Sequence, residues 1–464
     1  MSDAEPLTRA FEQALGYLDR LERRPVGTTA TAEELRARLG GALPEAGTPA
    51  GEVIDDLAQN VEGGILHSAG GRFFGWVIGG THPAALAADW LTATWDQNAA
   101  AYACSPAAAV VEEVCGAWLK ELLGLPAEAS FAFVTGCQMA HATALAAARH
   151  RLLQERGWDV ERQGLAGAPA LRVLTSAQRH ESLLRAVRLL GFGSDAIDIV
   201  PSDDAGRIDL DELEAALKAE PERPAVLVLQ AGDLNAGVFD PFGPACTLAK
   251  AAGAWVHVDG AFGLWAAAAP RFRHLLEGVE QADSWATDGH KWLNLPFDSG
   301  FVFIADPAAH RGAFTQEASY SVPVAGTRHP KDWNPEWSRR GRAFPAYAAI
   351  RALGREGIAE VVERCCDHAT RLVSEIGALP GVEVLAQPQV NQGLLRFLDA
   401  EGDHDRRTDA VIAGLQAEGT AWFGGTTWRG QRAMRVSVCS WRTKDEDVTR
   451  TVEAVRRVLS AASS

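Results

Sequence analysis

Residues 254–304 read AWVHVDGAFGLWAAAAPRFRHLLEGVEQADSWATDGHKWLNLPFDSGFVFI, and two short apolar runs inside this stretch decide the fold class. Trp255-Val256-His257-Val258 has the length and composition of a buried strand and ends in Asp259; Ser284-Trp285-Ala286-Thr287 is a second such run and ends in Asp288-Gly289-His290-Lys291. Two buried strands of an α/β sheet each deliver charged groups at their carboxyl ends, which is where open α/β sheets bind ligands. A structural Asp–Lys ion pair would account for the two charges alone. His-Val-Asp closing one strand and His-Lys closing the other favour a site, because charges at sheet ends are costly unless something uses them.

Pyridoxal phosphate (PLP) uses both: its aldehyde condenses with a lysine amine, and its ring nitrogen keeps a proton beside a carboxylate. The motifs His257-Val258-Asp259-Gly260-Ala261, Ala282-Asp283-Ser284, His290-Lys291-Trp292 and Asp298-Ser299 resemble those of the group II PLP-dependent amino acid decarboxylases, relatives of aromatic amino acid and glutamate decarboxylase. The likeness runs from about Leu21 to the last helix. It implies fold type I: a large domain with a mostly parallel seven-stranded sheet, a small C-terminal α/β domain and an N-terminal helical arm, here 1–83, 84–345 and 346–464. It further implies a homodimer with shared active sites. The alternation of buried strands and helices over 84–345 gives an α/β class independently.

Bulk composition is in keeping with this. At 464 residues the chain exceeds one ordinary core, so two or three domains are expected. Hydrophobic residues make up 47 % and charged ones 22 %, the balance of a soluble globular protein. Lys+Arg 44 against Asp+Glu 60 gives a net charge of −16, which argues against nucleic acid or an anionic membrane as partner. No apolar run is long enough to span a bilayer. Met1-Ser2-Asp3-Ala4-Glu5 has neither a basic nor an apolar leader region. Seven cysteines without paired metal spacing fit a reducing cytoplasm, no metal-ligand cluster is read, and Cys365-Cys366 are expected to pack inside a helix.

In chain order, Leu7, Phe11, Leu15, Leu18 and Leu21 space out a helix over 5–24, Leu39 to Pro49 reads as a linker, and 55–66 reads as another helix. The run from His67 to Trp76 is either a packed loop or, as the resemblance implies, the aromatic wall of the substrate entrance. Trp76, Trp95, Phe73 and Phe74 are candidates for an aromatic pocket, and Arg72 or His82 for meeting an acidic side chain. Ser105-Pro106 starts a helix as N-cap and first-turn proline. The strand ending at Val134 runs through Thr135-Gly136-Cys137-Gln138 into an Ala-rich helix, a turn that offers backbone N–H groups to a phosphate. The family has a serine hydroxyl at this turn; here Gln138 stands in its place.

His180 opens a helix after the strand 171–175. It is either a capping group or, by the resemblance, the imidazole that stacks on the cofactor ring. Further strands are read at 197–200, 225–229, 300–304, 382–385, 393–398 and 434–439, and Phe423 to Arg429 as a turn facing the cleft. The family's second Thr after the strand 225–229 is Leu234 here, with Asn235 as the substitute polar group. Tyr320, in a long aperiodic connection, falls where the family carries the loop tyrosine that protonates the substrate carbon. Ser338, before Arg339 and Arg340, falls where the family reaches the neighbouring subunit's cofactor phosphate, although an interface salt-bridge cluster would use the arginines equally.

The resemblance thus implies catalytic Lys291, His180, Tyr320 and Asp259. Its cofactor-binding set is Gly136, Cys137, Gln138, His180, Asn235, Asp259, Ala261, His290, Lys291 and Ser338. The expected reaction is decarboxylation of an L-amino acid to the amine and CO2 through a Lys291 Schiff base. Oxidative deamination to an aldehyde and β-elimination are the alternatives on the same site, with transamination ranked below them.

Overall fold

A computed structural model describes residues 4–316 and 326–461. Its large sheet has seven strands: β1 Ser130–Val134, β2 Arg172–Ser176, β3 Ile197–Val200, β4 Ala225–Gln230, β5 Trp255–Asp259, β6 Ser284–Asp288 and β7 Gly300–Ile304. Their order is β1-β7-β6-β5-β4-β2-β3, and β7 runs antiparallel to both neighbours while the rest are parallel. Strands β2, β4, β5, β6 and β7 are buried along their whole length. This is why they read as apolar runs rather than alternating ones: helices cover both faces. One core cluster joins one face to the C-terminal part of the chain; the other lies beneath the helix Cys137–Gln154. The register sets Asp259 beside Gln230 of β4 and Ala286 of β6. Asp288 therefore ends β6 two residues beyond that level, and both acids stand at the carboxyl edge.

A second, antiparallel sheet has the order β10-β11-β9-β8, from β8 Val382–Ala386, β9 Gln392–Phe397, β10 Gly424–Trp428 and β11 Gln431–Ser437. Strand β10 corrects the turn read at 423–429. Gly424-Gly425-Thr426-Thr427 carries no apolar run, but as an edge strand it needs only one neighbour, and it pairs with β11 from Gly424↔Arg435 to Trp428↔Gln431. The helix Ala343–Gly377 connects the two sheets and is broken at Gly354, whose φ of 63° lies in the region glycine enters without steric cost. Cys365 and Cys366 are buried within it.

The N-terminal part differs in detail from the periodicity. The first helix, Ala4–Arg20, buries none of its residues and hands over to a 3₁₀ turn at Leu21–Arg23. An additional helix, Ala32–Leu39, starts at Thr31 with a capping box to Glu34, and the helix expected over 55–66 lies at Ala50–Asn60. The segment after it is laced to the small sheet: Phe74 N donates to Trp422 O and Ser437 N to Phe74 O.

Candidate active site

The two strand-end motifs converge on one cavity of about 380 Å³ whose walls include Gly136, Cys137, Gln138, His180, Asp259, Ala261, His290 and Lys291. Eight of the residues expected at the cofactor thus line a single space. Lys291 Nζ stands 3.0 Å from Asp288 Oδ2. Burial pushes the Lys291 pKa down, but Asp288, Cys137 and Asp259 together outweigh it, and the net direction is up. Asp288 Oδ1 also accepts from Cys137 N at 2.6 Å, tying the start of the helix Cys137–Gln154 to the end of β6. Close approach is essential here: a Cβ on Gly300 would lie 2.5 Å from Gly136 Cα.

Asp259 is buried at the end of β5. Burial alone would raise its pKa; interaction with His141, then Lys291 and His180, outweighs that and holds it well below the usual carboxylate range. Its Oδ1 accepts from Ala261 N at 3.2 Å. His180 caps the helix Glu181–Leu189, its Nδ1 accepting from Ser182 N at 3.1 Å, and its ring still faces the cavity. With Nδ1 accepting, the ring proton sits on Nε2. His290 Nδ1 accepts from Ser299 N at 3.2 Å, and burial lowers its pKa.

Asn235 does not reach the cavity. Its N–H donates to Asp233 Oδ1 and its Oδ1 accepts from Thr426 of β10 at 2.8 Å, whereas Leu234 lines the wall. Ser338 lies away from this chain's own cavity, its Oγ accepting from Asn98 Nδ2 at 3.4 Å. Tyr320 lies outside the described residues. Of the candidates for substrate contact, Trp76 lines the cavity, where it packs 4.6 Å from Trp422, while Phe73 and Phe74 are buried against Trp422 and Phe423. Trp95 packs on Phe344 instead. Arg72 is consumed by Asp447 and Glu22, and His82 caps the helix Pro83–Trp95.

Three groups in or behind this cavity escaped the sequence reading. Arg435 of β11 lines the cavity without a close ion pair among the described residues; burial pushes its pKa down to about 10 against the raising effect of the Asp233 carboxylate, so it stays a cation. Gln230 Nε2 is buried in the same wall without a hydrogen-bond partner among the described residues. His141 stands with Cys137 and Asp259 in a buried cluster whose ligand-type atoms lie within 4.8 Å of one another, although no cluster was read from spacing. Only the Cys137–His141 spacing, one helical turn, was visible in advance.

These residues fit PLP. A lysine amine, an ionised carboxylate, an orphaned buried amide and a strand–turn–helix share one cavity at the carboxyl edge of a mostly parallel sheet. Fold and site define a PLP-dependent enzyme of fold type I. The family described as pyridoxal-dependent decarboxylase conserved domain matches residues 33–398, and the chain belongs to it. It is a PLP-dependent carboxy-lyase acting on amino acids. Among curated relatives it is 26 % identical to an aromatic-L-amino-acid decarboxylase of Bacillus atrophaeus, over 98 % of this chain and 95 % of that protein. It is 28 % identical to an L-2,4-diaminobutyrate decarboxylase of Rhizobium meliloti (strain 1021), over 96 % and 86 %. The solved structure of Oryza sativa TDC with PLP and tryptamine superposes with a TM-score of 0.92 at 23 % identity, covering 98 % of this chain and 97 % of that one. Rhodiola rosea 4-hydroxyphenylacetaldehyde synthase superposes at 0.89 with 22 % identity, covering 100 % of both chains.

Proposed function

We propose that this enzyme removes the α-carboxylate of an L-amino acid as CO2 and releases the amine, with Lys291, Asp259, His180 and Tyr320 as its catalytic residues. The observation that carries the reading is the shared cavity, in which a lysine amine and an ionised aspartate sit with an arginine. When bound, PLP supplies an aldehyde for amines and a ring that takes up electron density. Lys291 holds the cofactor through Nζ, and Asp259 holds a proton on the ring nitrogen. His180 offers its flat face to the ring. The N–H groups at Gly136 and Gln138, with His290 nearby, form the phosphate end, while the Cys137 N–H is held by Asp288.

Arg435, a cation on the cavity wall, anchors a carboxylate of the incoming amino acid. Leu234 and Trp76 keep that region apolar, which limits water at the reacting carbon. Tyr320 serves as the acid that protonates that carbon, a task suited to a phenol that is neutral at working pH. The site is completed in a homodimer, with Ser338 directed to the partner's phosphate end. Seven free cysteines favour a cytoplasmic setting.

The test is turnover of a panel of L-amino acids by the purified enzyme under air, with CO2, amine, ammonia, aldehyde and peroxide quantified. Amine and CO2 in equal amounts support the proposal. Aldehyde with ammonia and peroxide as main products would move the enzyme to the oxidative outcome, and ammonia without CO2 to elimination.

A further inference from the structure

Behind Asp259 lies a line of buried polar groups that the proposed chemistry does not use. Trp255, His257 and Asp259 alternate along β5 and so share one face of the sheet, the face covered by the helix Cys137–Gln154 that carries His141. Trp255 Nε1 lies 2.9 Å from Ser284 Oγ, Ser284 Oγ 2.9 Å from His257 Nδ1, and His257 Nε2 2.9 Å from His141 Nδ1. His141 Nε2 then faces Asp259 Oδ2 at 3.4 Å, a few tenths of an ångström beyond an ordinary N–H···O contact. His141, His257 and Ser284 are wholly buried.

The direction of this line follows from its far end. An indole N–H can only donate, so Ser284 Oγ accepts from Trp255 and turns its own proton to His257 Nδ1. His257 then carries its proton on Nε2 and donates to His141 Nδ1, which leaves the His141 proton on Nε2, aimed at the carboxylate. The reverse order would set a nitrogen lone pair of His141 against a carboxylate lone pair of Asp259. His257 stays neutral in the forward order, in line with burial pushing it down to about 3.

We infer that Trp255, Ser284, His257 and His141 form a one-way hydrogen-bond relay that holds Asp259 as an oriented carboxylate for the cofactor's ring nitrogen. His141 is a positioning residue in this scheme, and Ser284 and Trp255 act through it. The inference rests on the assignment of Asp259 to that nitrogen.

The experiment reconstitutes the protein with ¹⁵N-labelled PLP and reads the nitrogen chemical shift, which separates pyridinium from pyridine, together with cofactor affinity by equilibrium dialysis. The wild type should show pyridinium. Asp259→Asn should show pyridine; if it does not, the placement of Asp259 at the ring nitrogen fails, whatever the relay does. His141→Ala should move the shift toward pyridine and weaken cofactor binding about tenfold, the effect of one lost charge-assisted hydrogen bond. Ser284→Ala and Trp255→Phe, neither residue lining the cavity, should shift the signal in the same direction by less, and Ser284→Thr, which keeps a hydroxyl, should restore it. A merely structural role would lower the melting temperature without moving the nitrogen signal. A wild-type shift and affinity in folded His141→Ala, or in folded Ser284→Ala or Trp255→Phe if that variant does not fold, alongside a changed Asp259→Asn, would overturn the relay.

Discussion

At the level of single residues, Lys291 and Arg435 divide the work between cofactor and substrate, and their variants should fail differently. Lys291 is the amine in the cavity, tied to Asp288 at 3.0 Å. Lys291→Ala should lose the visible absorption of the bound cofactor, and peptide mapping after borohydride reduction of the wild type should find the label on Lys291. A label on another lysine would remove this residue from its role. Arg435→Met should keep the absorption yet raise KM by about tenfold or more, because only a carboxylate anchor is lost. An unchanged KM would assign the guanidinium to the wall. Lys291, Asp259 and His180 were legible because each closes or follows a short strand in a distinctive local motif. Arg435 was not, since a cation inside an apolar strand reads as outward-facing until the neighbouring sheet is known. His141 was invisible for a similar reason: its partners His257 and Asp259 stand more than a hundred positions away and meet it only across the sheet.

Among the elements, the strands of the large sheet were readable because burial on both faces leaves uninterrupted apolar runs. Strand β10 and the helix Ala32–Leu39 were not, since both are half-exposed and polar and are held by pairing or capping rather than by a hydrophobic stripe. A different polar device fixes the helix Pro106–Leu123 to the chain around Arg339. Glu112 on that helix is buried and receives Arg339 at 2.7 Å and Arg328 at 2.8 Å, while Arg339 also donates to Phe133 O at the end of β1. Burial pushes the Glu112 pKa up, the two guanidiniums outweigh it, and the net direction is down. A carboxylate with a lowered folded-state pKa contributes stability that is present above its unfolded value and lost as pH falls through the folded one. Glu112→Gln should therefore cost about 3–5 kcal/mol at neutral pH, the effect of stranding buried charge. It should also flatten the decline in stability on the acid side. Urea melts of both proteins at pH 7 and pH 4 check this; equal stabilities at pH 7 would show the triad to be dispensable.

For the whole molecule, the decisive feature is what the first helix leaves uncovered. Ala4–Arg20 buries no residue, and Leu7, Phe11 and Leu15 on it are 58 %, 49 % and 45 % exposed. Phe11 lies against Trp90 of the helix Pro83–Trp95, where Leu91 and Trp95 are exposed as well. A contiguous apolar surface of this kind marks an association face rather than a free one, and the proposed homodimer would cover it. Each chain carries a net charge of −16, so association has to overcome like-charge repulsion and should tighten as salt screens it. The double variant Phe11→Glu, Leu15→Glu places two more negative charges on that face without touching the cavity. Sedimentation velocity should find the wild type as a dimer and the variant as a monomer. Because the proposed site takes a residue from each chain, the monomer should also lose turnover while Lys291 and Asp259 remain intact. A variant that stays dimeric would remove this face from the interface. A monomer with full turnover would instead show that one chain builds a complete site, and Ser338 would then have to act within its own subunit.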